Sequence, residues 1–151
     1  MKFLVAVDGS NESTRALDYA ITIADGLGAS LTVVHAVEPT VYSEGGDAPI
    51  TSFSEAERRL VIEAVADAED RGQRVLDTAA DHVSATDTDT DVETELLYGD
   101  PMDVIPTYLE RVAFDGVFVG HRGYSKRYEG LLGSVAKRLV ERSSVPVTVV
   151  R

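Results

Sequence analysis

The sequence predicts an α/β protein built on a doubly wound parallel sheet, and three observations carry that prediction. Short apolar runs alternate with amphipathic stretches of helical period along the chain, in the order β-α-β-α-β-α-β-α-β. The first apolar run, "KFLVAV", stops at the turn signal Asp8-Gly9-Ser10, as a buried strand does when it leaves a sheet. The chain has 151 residues, 44% of them hydrophobic, which is enough for one domain (1–151) with a real core.

The elements follow in order. After the first strand, Ala16, Leu17, Ala20, Ile21, Ala24 and Leu27 recur at helical spacing, and Gly28 ends the run as a C-cap. "SLTVVHAV" (Ser30 to Val37) is a second buried strand. Glu38 to Glu55 shows no period and reads as a long functional loop. Val61, Val65, Ala68, Gly72, Val75, Leu76, Ala79 and Val83 then form one face of a long helix. "VETELLYGD" is the third strand, leading to Asp100 as N-cap and Pro101 at the first helical position. The stripe Ile105, Tyr108, Leu109, Val112 marks the third helix. Pro106 lacks a backbone donor near its start, which predicts a late start or a kink. "FDGVFVG" is the fourth strand, ending at Gly120. Val135, Ala136, Leu139 and Val140 mark the last helix, and "VPVTVVR" the last strand.

Charge narrows the function classes. The formal net charge is −12, from 14 Asp and 12 Glu against 11 Arg and three Lys. Such a chain is a poor ligand for duplex nucleic acid or an anionic membrane. Short carboxylates in excess with scarce Lys indicate a halophilic protein, suited to concentrated salt where self-repulsion is screened. No apolar run approaches the length of a membrane span, and "FLVAV" meets Asp8 too soon for a signal peptide. With no Cys there is neither a disulfide frame nor a thiolate metal site, which fits the cytoplasm.

In an open parallel sheet, ligands bind beyond the carboxyl ends of the strands at the switch point. Two glycine-bearing stretches lie at such ends: Asp8-Gly9-Ser10, and "VGHRGYSKRYEGLLGSV" from Val119 to Val135. The second combines Gly120, Gly123 and Gly133 with Arg122, Lys126 and Arg127, and runs into a helix starting near Ser134. A helix start offers unpaired N–H groups, glycines admit an anion close to the backbone, and Ser134 can cap and donate. The stretch therefore reads as a phosphate cradle with local positive potential on a negative protein.

Gly120-x-x-Gly123, nine residues, then Gly133-Ser134 resembles the signature of the ATP-binding universal stress proteins. "VAVDGS", "VHAVEP", "YGDP" and "SSVPVTVVR" look like that family too, so the resemblance covers nearly the whole chain. It implies a five-stranded sheet of order 3-2-1-4-5, which sets strands one and four side by side. It implies ATP with Mg2+ or Mn2+ as ligand, in a sensor or regulator; any hydrolysis is expected to be slow, since no dedicated general base is visible. Position by position, it implies that Val7, Asp8 and Gly9 line the first loop, with Asp8 facing ribose or a metal-bound phosphate. Ala36 would offer its backbone to adenine, and Val119 and Gly120 would lie by the adenosine. Gly123, Gly133, Ser134 and Val135 would surround the phosphates, with Arg122 in reach of them. In that strand order Val145 to Val150 forms an apolar edge, which implies a homodimer joined along it.

Rival readings share the fold: an interaction module with a vestigial cleft, or an adenylyl-transferring enzyme. The second would need a catalytic base or lysine at the α-phosphate, and no such constellation stands out. Asp8 also reads as a plain turn former. Asp87, Asp89 and Asp91 in "TDTDTD" mimic a calcium loop but lack its Gly and final Glu, which leaves a solvated acidic loop. His35 reads as structural and His82 as a surface residue of the long helix.

Overall fold

The computed structural model describes residues 1–38, 55–122 and 131–151. The chain runs β1 (Lys2–Ala6), α1 (Asn11–Leu27), β2 (Ser30–Val37), α2 (Glu55–Ser84), β3 (Val92–Tyr98), α3 (Pro101–Arg111), β4 (Gly116–Gly120), α4 (Ser134–Arg142) and β5 (Val147–Val150). Gly123, Lys126, Arg127 and all but the ends of the expected Glu38 to Glu55 loop lie outside the described residues.

All ladders are parallel and the strand order is β3-β2-β1-β4-β5. The side-chain alternation of β1 explains why both faces are covered. Phe3, Val5 and Val7 join a core with Leu17, Ile21 and Leu76 from α1 and α2, while Leu4 and Ala6 join a second core with Ile105, Leu109 and Leu139 from α3 and α4. Helix pairs thus change face between β1 and β4, which makes the gap beyond those two strands the switch point.

The helix ends obey local chemistry. Ser10 caps α1 by accepting the Ser13 N–H, and Gly28 closes it with φ 61°. Asp100 caps α3 through the Met102 N–H at 2.8 Å, with Pro101 at the first position. Of the two outcomes expected from Pro106, a late start or a kink, the late start does not occur: the helix begins at Pro101 and runs through Pro106 to Arg111. Pro106 has no N–H for the Met102 carbonyl, but its ring is buried with Ile105 and Leu109, so packing carries the helix past the missing bond. Two residues assigned to apolar stripes are solvent-facing instead. Leu27 is 56% exposed at the end of α1, and Val140 is 57% exposed on α4, where Ala136 and Leu139 suffice to fill the contact with the sheet. No helix among the described residues is long and apolar enough to cross a membrane.

Candidate functional site

The ends of β1, β2 and β4 and the start of α4 enclose a cavity of about 540 Å³. Its first wall is the turn after β1. There the Asp8 carboxylate accepts the Ser10 N–H at 2.9 Å, and Ser13 Oγ donates to the Ser10 carbonyl at 2.9 Å. Gly9 supplies φ 80°, a conformation costly for any residue with a Cβ. The turn-former reading of Asp8 is thus observed, and the same residue also lines the cavity.

The second wall is the end of β2. Backbone polar groups alternate along this strand. Ser30 and Val34 bond toward β1, through Ser30 N–H to the Met1 carbonyl and Val7 N–H to the Val34 carbonyl. Leu31 and Val37 bond toward β3. Ala36 belongs to the first set, but the last paired residue of β1 is Ala6, opposite Val34. The Ala36 N–H and C=O therefore point to where β1 has already turned away, on the cavity side.

The third wall follows β4. Gly120 is buried, and a Cβ there would stand 2.9 Å from the Glu12 carbonyl and 3.1 Å from Ser13 N in the first turn of α1. Its lack of a side chain lets α1 and β4 converge at the cavity. His121 N–H donates to the Val150 carbonyl at 2.6 Å, and Gly133 N–H donates back to the His121 carbonyl at 2.8 Å. The glycine-rich stretch thus leaves and returns at one point, which presents α4 to the cavity.

Ser134 is not the cap of α4. Gly133 holds that position with extended backbone (φ −62°, ψ 154°), and no side chain caps the helix. The carbonyl of Gly133 accepts the Lys137 N–H, so the N–H groups of Ser134, Val135 and Ala136 precede the first intrahelical donor. Ser134 itself lines the cavity.

Of the residues singled out in the sequence, Val7, Asp8, Ala36, Val119, Gly120, Arg122, Gly133, Ser134 and Val135 line this one space. Gly9 does not line it; it shapes the turn. Gly123 lies outside the described residues. Among the described residues, Arg122 donates from Nε to its neighbour His121 Nδ1 at a long 3.4 Å. Sequence reasoning missed Lys137, which lines the cavity one helical turn from Ser134, a spacing that could have flagged it. It also missed the apolar contributions of Ile105 and Leu132, and the position of His35 at the cavity wall. No group of three or more His, Asp or Glu side chains among the described residues could hold a metal. The acidic loop is held differently: Thr88 Oγ1 and Asp89 N–H both donate to Asp25 Oδ1.

The fold agrees with comparison to known proteins. The model of the universal stress protein family matches residues 1–151. Universal stress protein YxiE of Bacillus subtilis is 29% identical over 150 residues, covering 99% of this chain and 98% of its own. The structure of universal stress protein UspA from Lactobacillus plantarum superposes with a TM-score of 0.80 at 22% identity, covering 100% of this chain and 97% of that one. A universal stress protein solved in complex with cAMP superposes with a TM-score of 0.60 at 26% identity, covering 100% of this chain and 97% of its own. A match over every residue, together with the shared strand order and switch-point architecture, places the chain in the universal stress protein family.

Proposed function

We propose that this chain is an adenine-nucleotide-binding regulator, a single cytoplasmic domain that holds ATP with Mg2+ or Mn2+ in the switch-point cavity. The observation that carries the reading is convergence. A cavity of about 540 Å³, within the roughly 300–1,000 Å³ of small-molecule sites, brings together the free backbone edge of Ala36, the uncapped start of α4 and the cations Arg122 and Lys137. The edge of Ala36 suits adenine, with Val7 and Val119 beside the adenosine. The N–H groups of Ser134 and Val135, with Gly133 beside them, suit phosphates. A family member's complex with cAMP supports an adenine ligand.

Asp8 is the one carboxylate among the described lining residues, so a divalent ion would arrive on the phosphates rather than sit in a protein cage. That carboxylate already holds the Ser10 N–H, which favours reporting nucleotide over turning it over.

Calorimetry with ATP, AMP and adenosine, in molar KCl with Mg2+, tests the reading on wild type and on Lys137→Glu. ATP should bind more tightly than adenosine. The substitution should weaken ATP about tenfold, the loss of roughly one charge-assisted hydrogen bond, and leave adenosine unchanged. Wild-type protein that binds ATP no better than adenosine would refute the phosphate site.

The sheet edges support a two-fold homodimer through Val145 to Val150. On one edge, β3 carries exposed Glu93 and Glu95, charges that discourage pairing. On the other, β5 is Val147, Thr148, Val149 and Val150, each half-buried with one side of its ladder open. Val147→Pro with Val149→Lys should convert a dimer to a monomer by light scattering. A folded variant of unchanged dimeric mass would move the interface elsewhere. The acidic surface suits concentrated salt.

A further inference from the structure

Val7 N–H donates to the Val34 carbonyl at 2.9 Å, continuing the β1–β2 ladder one step past its last paired residues. In a parallel ladder the next bond would run from the Ala36 N–H back to the Val7 carbonyl. That bond does not form. The Val7 carbonyl instead lies 2.7 Å from Nδ1 of His35, the residue preceding Ala36. A carbonyl only accepts, so Nδ1 carries the proton and donates. The ring is held in place from behind by α2, where Gly72 is buried and a Cβ would come within 3.2 Å of His35 Cδ2.

We propose that His35 is a positioning residue that keeps the Ala36 backbone open to an adenine ring, by occupying the carbonyl that would otherwise close on it. The inference rests on the nucleotide reading of the cavity and deepens it. An extended residue with both N–H and C=O available on one side can pair with the adjacent acceptor and donor on an adenine edge. Closing the ladder would consume the N–H and leave only the carbonyl. His35 replaces a backbone rung with a side-chain rung. The turn after β1 stays anchored to β2, and the recognition edge stays open.

The test combines amide hydrogen exchange at Ala36, the tautomer of His35 by nitrogen-15 shifts, and calorimetry with AMP. In wild type the Ala36 amide should exchange rapidly in free protein and slow on AMP binding, and Nδ1 should carry the proton. In His35→Leu the Ala36 N–H should turn to the Val7 carbonyl. Its exchange should then be slow without ligand, and AMP affinity should fall about tenfold. His35→Asn places an amide N–H near the position of Nδ1 and should restore both wild-type exchange and affinity. A merely structural histidine would not make the Ala36 amide more protected when removed.

A folded His35→Leu with rapid Ala36 exchange and wild-type affinity overturns the proposal. So does a wild-type ring whose Nδ1 is bare, whatever the variants do. Wild-type protein that binds neither AMP, ATP nor adenosine, while His35→Leu still slows Ala36 exchange, overturns the nucleotide reading and leaves the rung substitution standing.

Discussion

Gly120→Val is expected to destabilise the protein by about 3 kcal/mol, the upper range for overpacking a tight interior. The residue is buried at the end of β4, and an ideal Cβ would lie 2.9 Å from both C and O of Glu12. Those are backbone atoms of a capped first turn, not the flexible end of a side chain, so the helix or the strand must shift as a unit. Valine otherwise favours strands, so local propensity predicts the opposite sign and makes the result diagnostic. Gly26→Ala in α1 is the control: nothing lies within 4 Å of its Cβ, and it should stabilise by roughly 0.5–1 kcal/mol. Urea unfolding of both variants measures the difference. A Gly120→Val protein as stable as wild type would mean that α1 and β4 do not approach as described. The same shift would displace the Ser10 to Ser13 turn, so the folded fraction should also bind nucleotide more weakly.

The melting temperature is expected to rise by about 10 °C between low and molar KCl, equivalent to roughly 3 kcal/mol for a chain of this size. The net charge of −12 is spread over surface carboxylates, and Asp67, Asp70, Asp77 and Asp81 are all exposed along α2. The ion pairs among the described residues are Lys2–Glu93 and Arg138–Asp103, each with at least one well-exposed partner, beside a hydrogen bond between His82 and Asp18. Pairs of that kind contribute about 0–1 kcal/mol, too little to offset the repulsion. Screening is the stronger remedy, because the Debye length falls from about 30 Å at 0.01 M to about 3 Å at 1 M. Thermal melts in KCl decide it. A curve flat from low to molar salt removes the idea that this surface is built for saline conditions.

Much of the fold was legible because its signals are local. Gly28 as a left-handed cap, Asp100 as an N-cap and the apolar runs of β1, β2 and β4 depend on a few neighbouring residues each. The strand order was not legible in the periodicity, since an alternating chain can wind several ways. It came from resemblance to a family, and the sheet agrees with it. The misreadings arose where tertiary packing overrides a local rule. α3 starts at Pro101 with the Pro106 ring buried inside it, and Leu27 and Val140 fit a helical period yet stay exposed.

The sequence by itself determined the elements of this protein, its acidic surface and the loops that could bind an anion, because residue type and spacing act over one or two turns of chain. Tertiary structure decided what those loops enclose. Only the side-by-side placement of β1 and β4 brings Asp8, Ala36, Arg122 and Ser134 around one cavity and adds Lys137 to it. Only the end of the β1–β2 ladder shows that His35 takes the Val7 carbonyl. A hydrogen bond between residues 28 apart depends on where two strands part, and no period in the sequence encodes that point.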